Sequence, residues 1–518
     1  MFRIASICAL AMAFAIAGCG HRITPAHAKH MVCADSTGQP CDGTDGYAPM
    51  DQNQHAAHVR AIIAEVKKAA HAKAGGSLPV MIFVHGGLNT AGGVLERTAA
   101  LTDRLMDKEQ GIYPIFINWP CGLGSSYGEH LLRVRQGRVW RRFAGWITSP
   151  FVLVSDVGRA VTRAPLSFAE TAQTFWYSFR SVSRTYQRLH DAPGGTSAPG
   201  GAGTGFILWS DERERSGRRN WRTVSGFLLM PVHLVTGVIV DAGGTQAWTN
   251  MLRRAKSLFH ATSEFTDGAD HAHRADGDGA LAVFLSEWSE DAELRRLIAQ
   301  GTVRVTLVGH SMGTIVANEM LKAHPEIRYE SIVYMAAACS TKDVIEAVFP
   351  YLRRHSRLGL PEWFLRLRRA LGARTWLEGL VASTSETLPD PRFYSLMLHP
   401  ANEVNESHVI ADFPLVPRGS LLVWIDQMFS NPEHFLNRTF GRFSNIVEAV
   451  HVIPADLRPN ILLHAFPRRG HLVPIEHGDF CVDKPFWSEA WWRGEEASGK
   501  QVKSITLRAA QSALQQSP

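Results

Sequence analysis

The chain has little cysteine, no internal repeat and no apolar run long enough to cross a bilayer. There are 7 cysteines in 518 residues, none in a C-x-x-C pair, so their spacing suggests no zinc site. The 23 histidines, His271 and His273 among them, lack ligand spacing, and no metal or other cofactor is expected. The longest apolar stretches are Ile4 to Ile16 and Phe227 to Val240, the second interrupted by Pro231 and His233. Both fall short of the roughly 20 residues a spanning helix needs, so Phe227 to Val240 reads as a buried or interfacial helix. Charged residues make up 20% and hydrophobic residues 45%, the balance of a packed globular chain rather than a disordered one. The length allows two to four domains, or one domain with large insertions.

What is present centres on residues 303 to 316, V-R-V-T-L-V-G-H-S-M-G-T-I-V. An apolar, β-branched run stops at Gly309, a G-x-S-x-G pentapeptide turns the chain, and a helix-compatible segment continues to about Lys322. The pentapeptide alone is weak, because chance supplies it roughly once in several chains of this length. Strand before and helix after give it weight. Together they form a nucleophile elbow, with Ser311 held at the end of a buried strand and small residues needed on both sides.

Around this centre the pattern alternates. A helix is expected over 56–74, then a strand from Leu78 to Val84 running directly into His85-Gly86-Gly87-Leu88. A helix over 91–107, a strand over 112–119 and a helix over 280–299 follow. Strands are expected at Ser331 to Ala337, with Asp343 shortly beyond, at Leu421 to Ile425, ending at Asp426, and at Ile461 to Phe466. Strands separated by helices imply a mostly parallel sheet with chemistry at its carboxyl edge. Residues 131–260 break the pattern. They hold 18 Lys and Arg against 7 Asp and Glu, more than the chain's whole net charge of +6.

V-H-G-G, G-H-S-M-G, a later strand ending in Asp and a last strand followed by His resemble an α/β-hydrolase of the lipase and esterase kind. The resemblance covers three blocks, about 75–130, 280–345 and 390–480. It implies Ser311 as nucleophile, made reactive by an imidazole that takes its proton, and an oxyanion hole from the amides of Met312 and of Gly87 or Leu88. The base is His477, in H-G-D-F, which is similar to the pattern after the last strand of some lipase-like members; His471 in R-R-G-H is the alternative. The acid is Asp426, with Asp343 as the alternative. The implied activity is cleavage of a carboxylic ester, acyl-lipid or another apolar acyl substrate, through an acyl-enzyme, and an alcohol acceptor is equally compatible. The reading from another class is a non-catalytic envelope protein that keeps the scaffold to bind lipid or a partner.

Arg3, the short apolar core and Ile16-Ala17-Gly18-Cys19 resemble a bacterial lipoprotein signal, which implies lipidation of Cys19 after loss of residues 1–18. Gly20 after the cysteine resembles Gram-negative lipoproteins of the outer membrane. The expected layout is a tether over 19–50, core over 51–130, a basic helical cap over 131–278 with a Gly-rich linker at 193–205, core over 279–345, a helical insertion over 346–390, core over 391–498 and a polar tail over 499–518. In an oxidising envelope, Cys33 and Cys41 are near enough in sequence to pair. For the basic cap, anionic lipid is the expected counterpart and nucleic acid is not.

Overall fold

The structure is a computed structural model. It describes residues 24–43, 48–73, 75–87, 91–107, 111–135, 138–139, 142–177, 206–209, 230–261, 277–356, 388–406, 416–430, 432–449, 452–454, 456–468, 470, 472–481, 484–494 and 503–506. The signal segment with Cys19, Leu88, the linker at 193–205, His271, His273, residues 357–387 of the second insertion and His471 lie outside the described residues.

In chain order the elements begin with β1 (Met31–Cys33), α1 (Gln52–Ala72), β2 (Leu78–Val84), α2 (Ala91–Met106), β3 (Tyr113–Asn118) and α3 (Leu123–Leu132). A long helix α4 (Arg142–Tyr177), a short strand β4 (Phe206–Trp209) and helix α5 (Met230–Ser257) come next. The chain then runs through α6 (Ala280–Glu290), α7 (Ala292–Ala299), β5 (Val303–His310), α8 (Gly313–Ala323), β6 (Ser331–Met335) and α9 (Thr341–His355). It ends with β7 (Arg392–Met397), α10 (Pro400–Asn405), α11 (Leu421–Trp424), β8 (Ile461–Ala465) and β9 (Lys503–Thr506).

One nine-stranded sheet orders these strands β1-β3-β2-β5-β6-β7-β8-β4-β9. Every pair is parallel except β4 with β9. Helices pack against this sheet, so β3 and β6 are buried at every residue and read as unbroken apolar runs. Local signals fix the helices around them. Asp51 accepts from Gln54 N and the Gln54 side chain answers Asp51 N, a capping box that starts α1 and contributes about 1 kcal/mol. Val59, Ile62, Ile63, Val66 and Ala70 then form its buried stripe, at the spacing of a helix with one apolar face.

Four stretches fold differently from expectation. Met31–Cys33, read as tether, is an edge strand on β3. Leu421 to Ile425, read as a strand, is helix α11 continuing into a π-helical turn at Ile425–Phe429. An apolar run of that length has no period to separate helix from strand; Ser420, whose Oγ accepts from Val423 N at 3.4 Å, supplies the helix start. The strand before β8 is instead β7. In the tail, read as polar, residues Lys503–Thr506 form a strand that pairs with β4. Cys33 and Cys41 are free thiols that share a small apolar cluster with Met31 and Leu95, where burial pushes the Cys33 thiol up to about 12.

Candidate active site

β5 lies at the middle of the sheet, between β2 and β6. The chain leaves it through a backbone that few residues adopt. Among the described residues just two non-glycines have positive φ, Ser311 at 50° and Ala336 at 43°, each costing about 1–3 kcal/mol. Hydrogen bonds hold the serine there. Ser311 N donates to Met335 O at 2.8 Å, and its carbonyl accepts from Thr314 N at 3.1 Å, Ala338 N at 3.1 Å and Thr314 Oγ1 at 2.7 Å. Gly313 has to be small because a Cβ there would collide with the Val84 carbonyl, so α8 could not start so close to β2.

The loop after β2 wraps over the elbow. A Cβ on Gly86 would come to 2.9 Å from Ser311 Cβ and 2.8 Å from His310 Nδ1, so this position too must be small. Gly87 lies against Met312, whose backbone starts α8 at the positive end of the helix dipole. His85 holds this loop: its Nε2 accepts from Trp119 N at 3.2 Å, leaving Nδ1 to donate to Gly86 O at 2.8 Å. Burial lowers its pKa to about 4, so it stays neutral and keeps that tautomer.

His477 opens a 3-10 turn over His477–Cys481 in the segment after β8. Its Nε2 is 2.7 Å from Ser311 Oγ, within reach for proton transfer. Both backbone groups of His477 are also held. Its carbonyl accepts from His310 Nε2 at 3.0 Å, and its N–H donates to Glu406 Oε2 at 3.1 Å. His310 is buried, with its pKa lowered to about 4, and acts as a neutral donor. The rest of H-G-D-F builds the turn. Asp479 Oδ2 accepts from Ile475 N at 2.8 Å and Glu476 N at 3.0 Å, and the buried Phe480 ring packs on Phe466 and Trp491.

The acidic positions separate clearly. Asp426 sits in the π-helical turn, where Oδ1 accepts from Thr439 N at 2.9 Å and Oδ2 from Thr439 Oγ1 at 3.1 Å, Arg442 Nη1 at 2.9 Å and Asn445 Nδ2 at 2.8 Å. Asp343 is the third residue of α9, and its Oδ2 caps the helix by accepting from Ser340 N at 2.9 Å. Asp343 lies shortly beyond β6, as expected, whereas the strand expected to end at Asp426 is a helix. A carboxylate that does reach the His477 segment is Glu406, just past α10 and after β7, whose Oε2 accepts from the His477 backbone N–H. Burial raises its pKa to about 8. Nearby, Glu403 is raised to about 7, mainly by burial, and faces Arg442 Nε at 3.5 Å.

Sequence reasoning missed Glu406 because it missed β7. The available signal was R-F-Y-S-L-M followed by His399-Pro400: Pro at the first helical position marks a strand-to-helix turn, with the glutamates just beyond it. It also missed that His310, the variable residue inside the pentapeptide, holds the His477 peptide.

A family model described as "Alpha/beta hydrolase family" matches residues 269–484, a span that runs from before β5 to beyond His477. No curated protein and no solved structure matches the chain. Parallel sheet, central elbow and matched span agree: this chain has the α/β-hydrolase fold.

Proposed function

We propose that this protein is a serine hydrolase that cleaves carboxylic esters of apolar acyl groups through an acyl-enzyme. The observation that carries the reading is the 2.7 Å contact between His477 Nε2 and Ser311 Oγ, made by a serine held at φ 50°. Ser311 Oγ attacks the ester carbonyl carbon while its proton passes to His477 Nε2. The donors assigned to the oxyanion are the Met312 amide and that of Gly87, or of Leu88, which lies outside the described residues, each such donor worth about 3 kcal/mol in the transition state. His477 then protonates the departing alkoxide. Water, deprotonated by the same imidazole, attacks acyl-Ser311 and frees the acid; an alcohol in place of water would give a new ester.

For the carboxylate partner we replace Asp426 with Glu406. The four donors on Asp426 make it a structural anion. Glu406 follows the strand before β8 and accepts from the His477 backbone N–H at 3.1 Å, so its carboxylate lies beside the residue whose imidazole it would orient. We also propose, from Ile16-Ala17-Gly18-Cys19-Gly20, that an acyl anchor on Cys19 holds the enzyme at the outer membrane of a Gram-negative envelope, facing the periplasm.

The test is hydrolysis of p-nitrophenyl esters of increasing chain length. Turnover that rises with acyl length and disappears in Ser311→Ala supports the reading. Turnover that survives Ser311→Ala, or none with any ester, overturns it.

A further inference from the structure

Helix α4 is turned inside out relative to an ordinary surface helix. Phe143, Trp146, Phe151 and Val154 are 80%, 71%, 75% and 71% exposed, and Ile147, Val157, Val161 and Leu166 are exposed with them. From Phe143 to Val161 these positions recur at three- and four-residue intervals, so they form one continuous stripe. The charged residues between 143 and 166 point the other way. Asp156 is buried, with Oδ2 3.0 Å from His130 Nε2 and 3.3 Å from Tyr127 Oη of α3. Arg163 pairs with the buried Asp241 of α5 at 3.8 Å, and Arg159 is half-buried. Val235 and Ile239 at the start of α5 are exposed as well.

We propose that this face of α4, with the first turns of α5, docks into the surface of an anionic lipid bilayer. Three observations favour lipid over a protein partner. Hydroxyls on these helices bond back to their own backbone: Thr148 Oγ1 to Ala144 O at 2.6 Å, Ser149 Oγ to Trp146 O at 2.9 Å, Thr162 Oγ1 to Arg159 O at 2.7 Å and Thr236 Oγ1 to Val232 O at 3.0 Å. A hydrocarbon surroundings requires that self-sufficiency, whereas a protein interface carries about one hydrogen bond per 100–200 Å². The segment to which both helices belong, 131–260, carries 18 Lys and Arg against 7 Asp and Glu, a net positive charge that suits anionic head groups. Among the described residues no helix is long and apolar enough to cross a membrane, so the helix lies in the interface rather than spanning it.

The surface connects to the site through α5. From Val235 to Met251 that helix rises about 24 Å, and Met251 lies against Gly87. Arg253 and Arg254 fix this end to α3 through Glu129 at 2.6 and 3.0 Å. If Ser311 is the nucleophile, the same helix links the bilayer to the oxyanion loop, so that clause rests on the hydrolase reading; the docking surface itself does not.

The experiment is flotation of the full chain carrying Cys19→Ser, which removes any acyl anchor, with phosphatidylglycerol-containing and pure phosphatidylcholine vesicles. The expected result is binding to the anionic vesicles, at least tenfold weaker binding to the neutral ones, and at least a tenfold loss in Trp146→Ser/Phe151→Ser/Val154→Ser with the circular dichroism spectrum unchanged. Brominated lipid should quench fluorescence less in Trp146→Phe than in its parent. No flotation, equal flotation of the triple variant, or a self-association that the triple variant abolishes without any vesicle binding overturns the proposal; the last outcome makes a second copy of the chain the occupant. Esterase activity is not read, so failure here leaves the catalytic reading standing.

Discussion

Two buried polar clusters, one around Asp426 and one around Ser311, are built on opposite principles. Around Asp426 every donor has been brought to the carboxylate: Thr439, Arg442 and Asn445 converge on its two oxygens. Around Ser311 the bonds go to the backbone instead. The serine's N–H and carbonyl, the Gly86 carbonyl and both peptide groups of His477 are fixed, while Ser311 Oγ meets His477 Nε2. Saturated side chains hold a fold together, and a rigid backbone around a reactive side chain prepares chemistry. A buried Asp at a helix turn is therefore poor evidence for catalysis until its partners are counted.

The comparison can be broken most strongly at Ser311. Ser311→Ala should lower ester turnover by about a million-fold, the scale seen when a nucleophile is removed from such a unit, with stability lowered by about 1 kcal/mol as the buried bond from Ser311 Oγ to His477 Nε2 is lost. An equal loss in Asp426→Asn would erase the distinction between the clusters. That substitution should instead destabilise the protein by about 3 kcal/mol, because Arg442 loses the nearer of its two buried carboxylates, and denaturant titration reads it. kcat of the fraction that remains folded should stay within about threefold of the parent.

Gly86→Ala tests the backbone side of the contrast. Its methyl would press on Ser311 Cβ and His310, and a displacement on the ångström scale costs about a hundredfold in kcat. A neutral outcome would show that the loop is free to move.

Glu406→Gln sharpens the account through pH. The carboxyl is raised to about 8, so it is neutral at pH 6 and charged at pH 9. The parent-to-variant ratio of kcat/KM should climb from near one at pH 6 to about tenfold at pH 9. Stability moves the other way. Between the unfolded value near 4.3 and about 8 the native state binds the extra proton, so the parent loses up to about 1.4 kcal/mol per pH unit relative to the variant as pH rises. Denaturant midpoints of both proteins at pH 5 and pH 7 check the sign; a ratio and a stability difference that are both flat with pH would remove Glu406 from the site.

How much of this was legible in the sequence depends on how local each signal is. The elbow is local: strand, turn and helix lie within about twenty residues, and Ser311, Gly313 and Met312 could be placed from them. H-G-D-F is local too, since Asp479 and Phe480 shape the turn that carries His477. The acid depends on which of two distant stretches becomes the strand before β8. S-L-L-V-W-I has the stronger apolar run, but Ser420 makes it a helix, and R-F-Y-S-L-M takes the place in the sheet because it pairs with β6 and β8. That choice is made by tertiary pairing, which the pattern of a single segment does not encode. The apolar face of α4 was hidden for the same reason: which side of a mixed helix faces outward is settled by Asp156 and Arg163 finding partners on α3 and α5.

The central claim is that Ser311 is a nucleophile primed by His477, and a fluorophosphonate probe with intact-mass and peptide analysis tests it most directly. One adduct on Ser311, lost in Ser311→Ala and slowed at least a hundredfold in His477→Ala, is the predicted result. No adduct on the folded protein, or one that persists in Ser311→Ala, would contradict it.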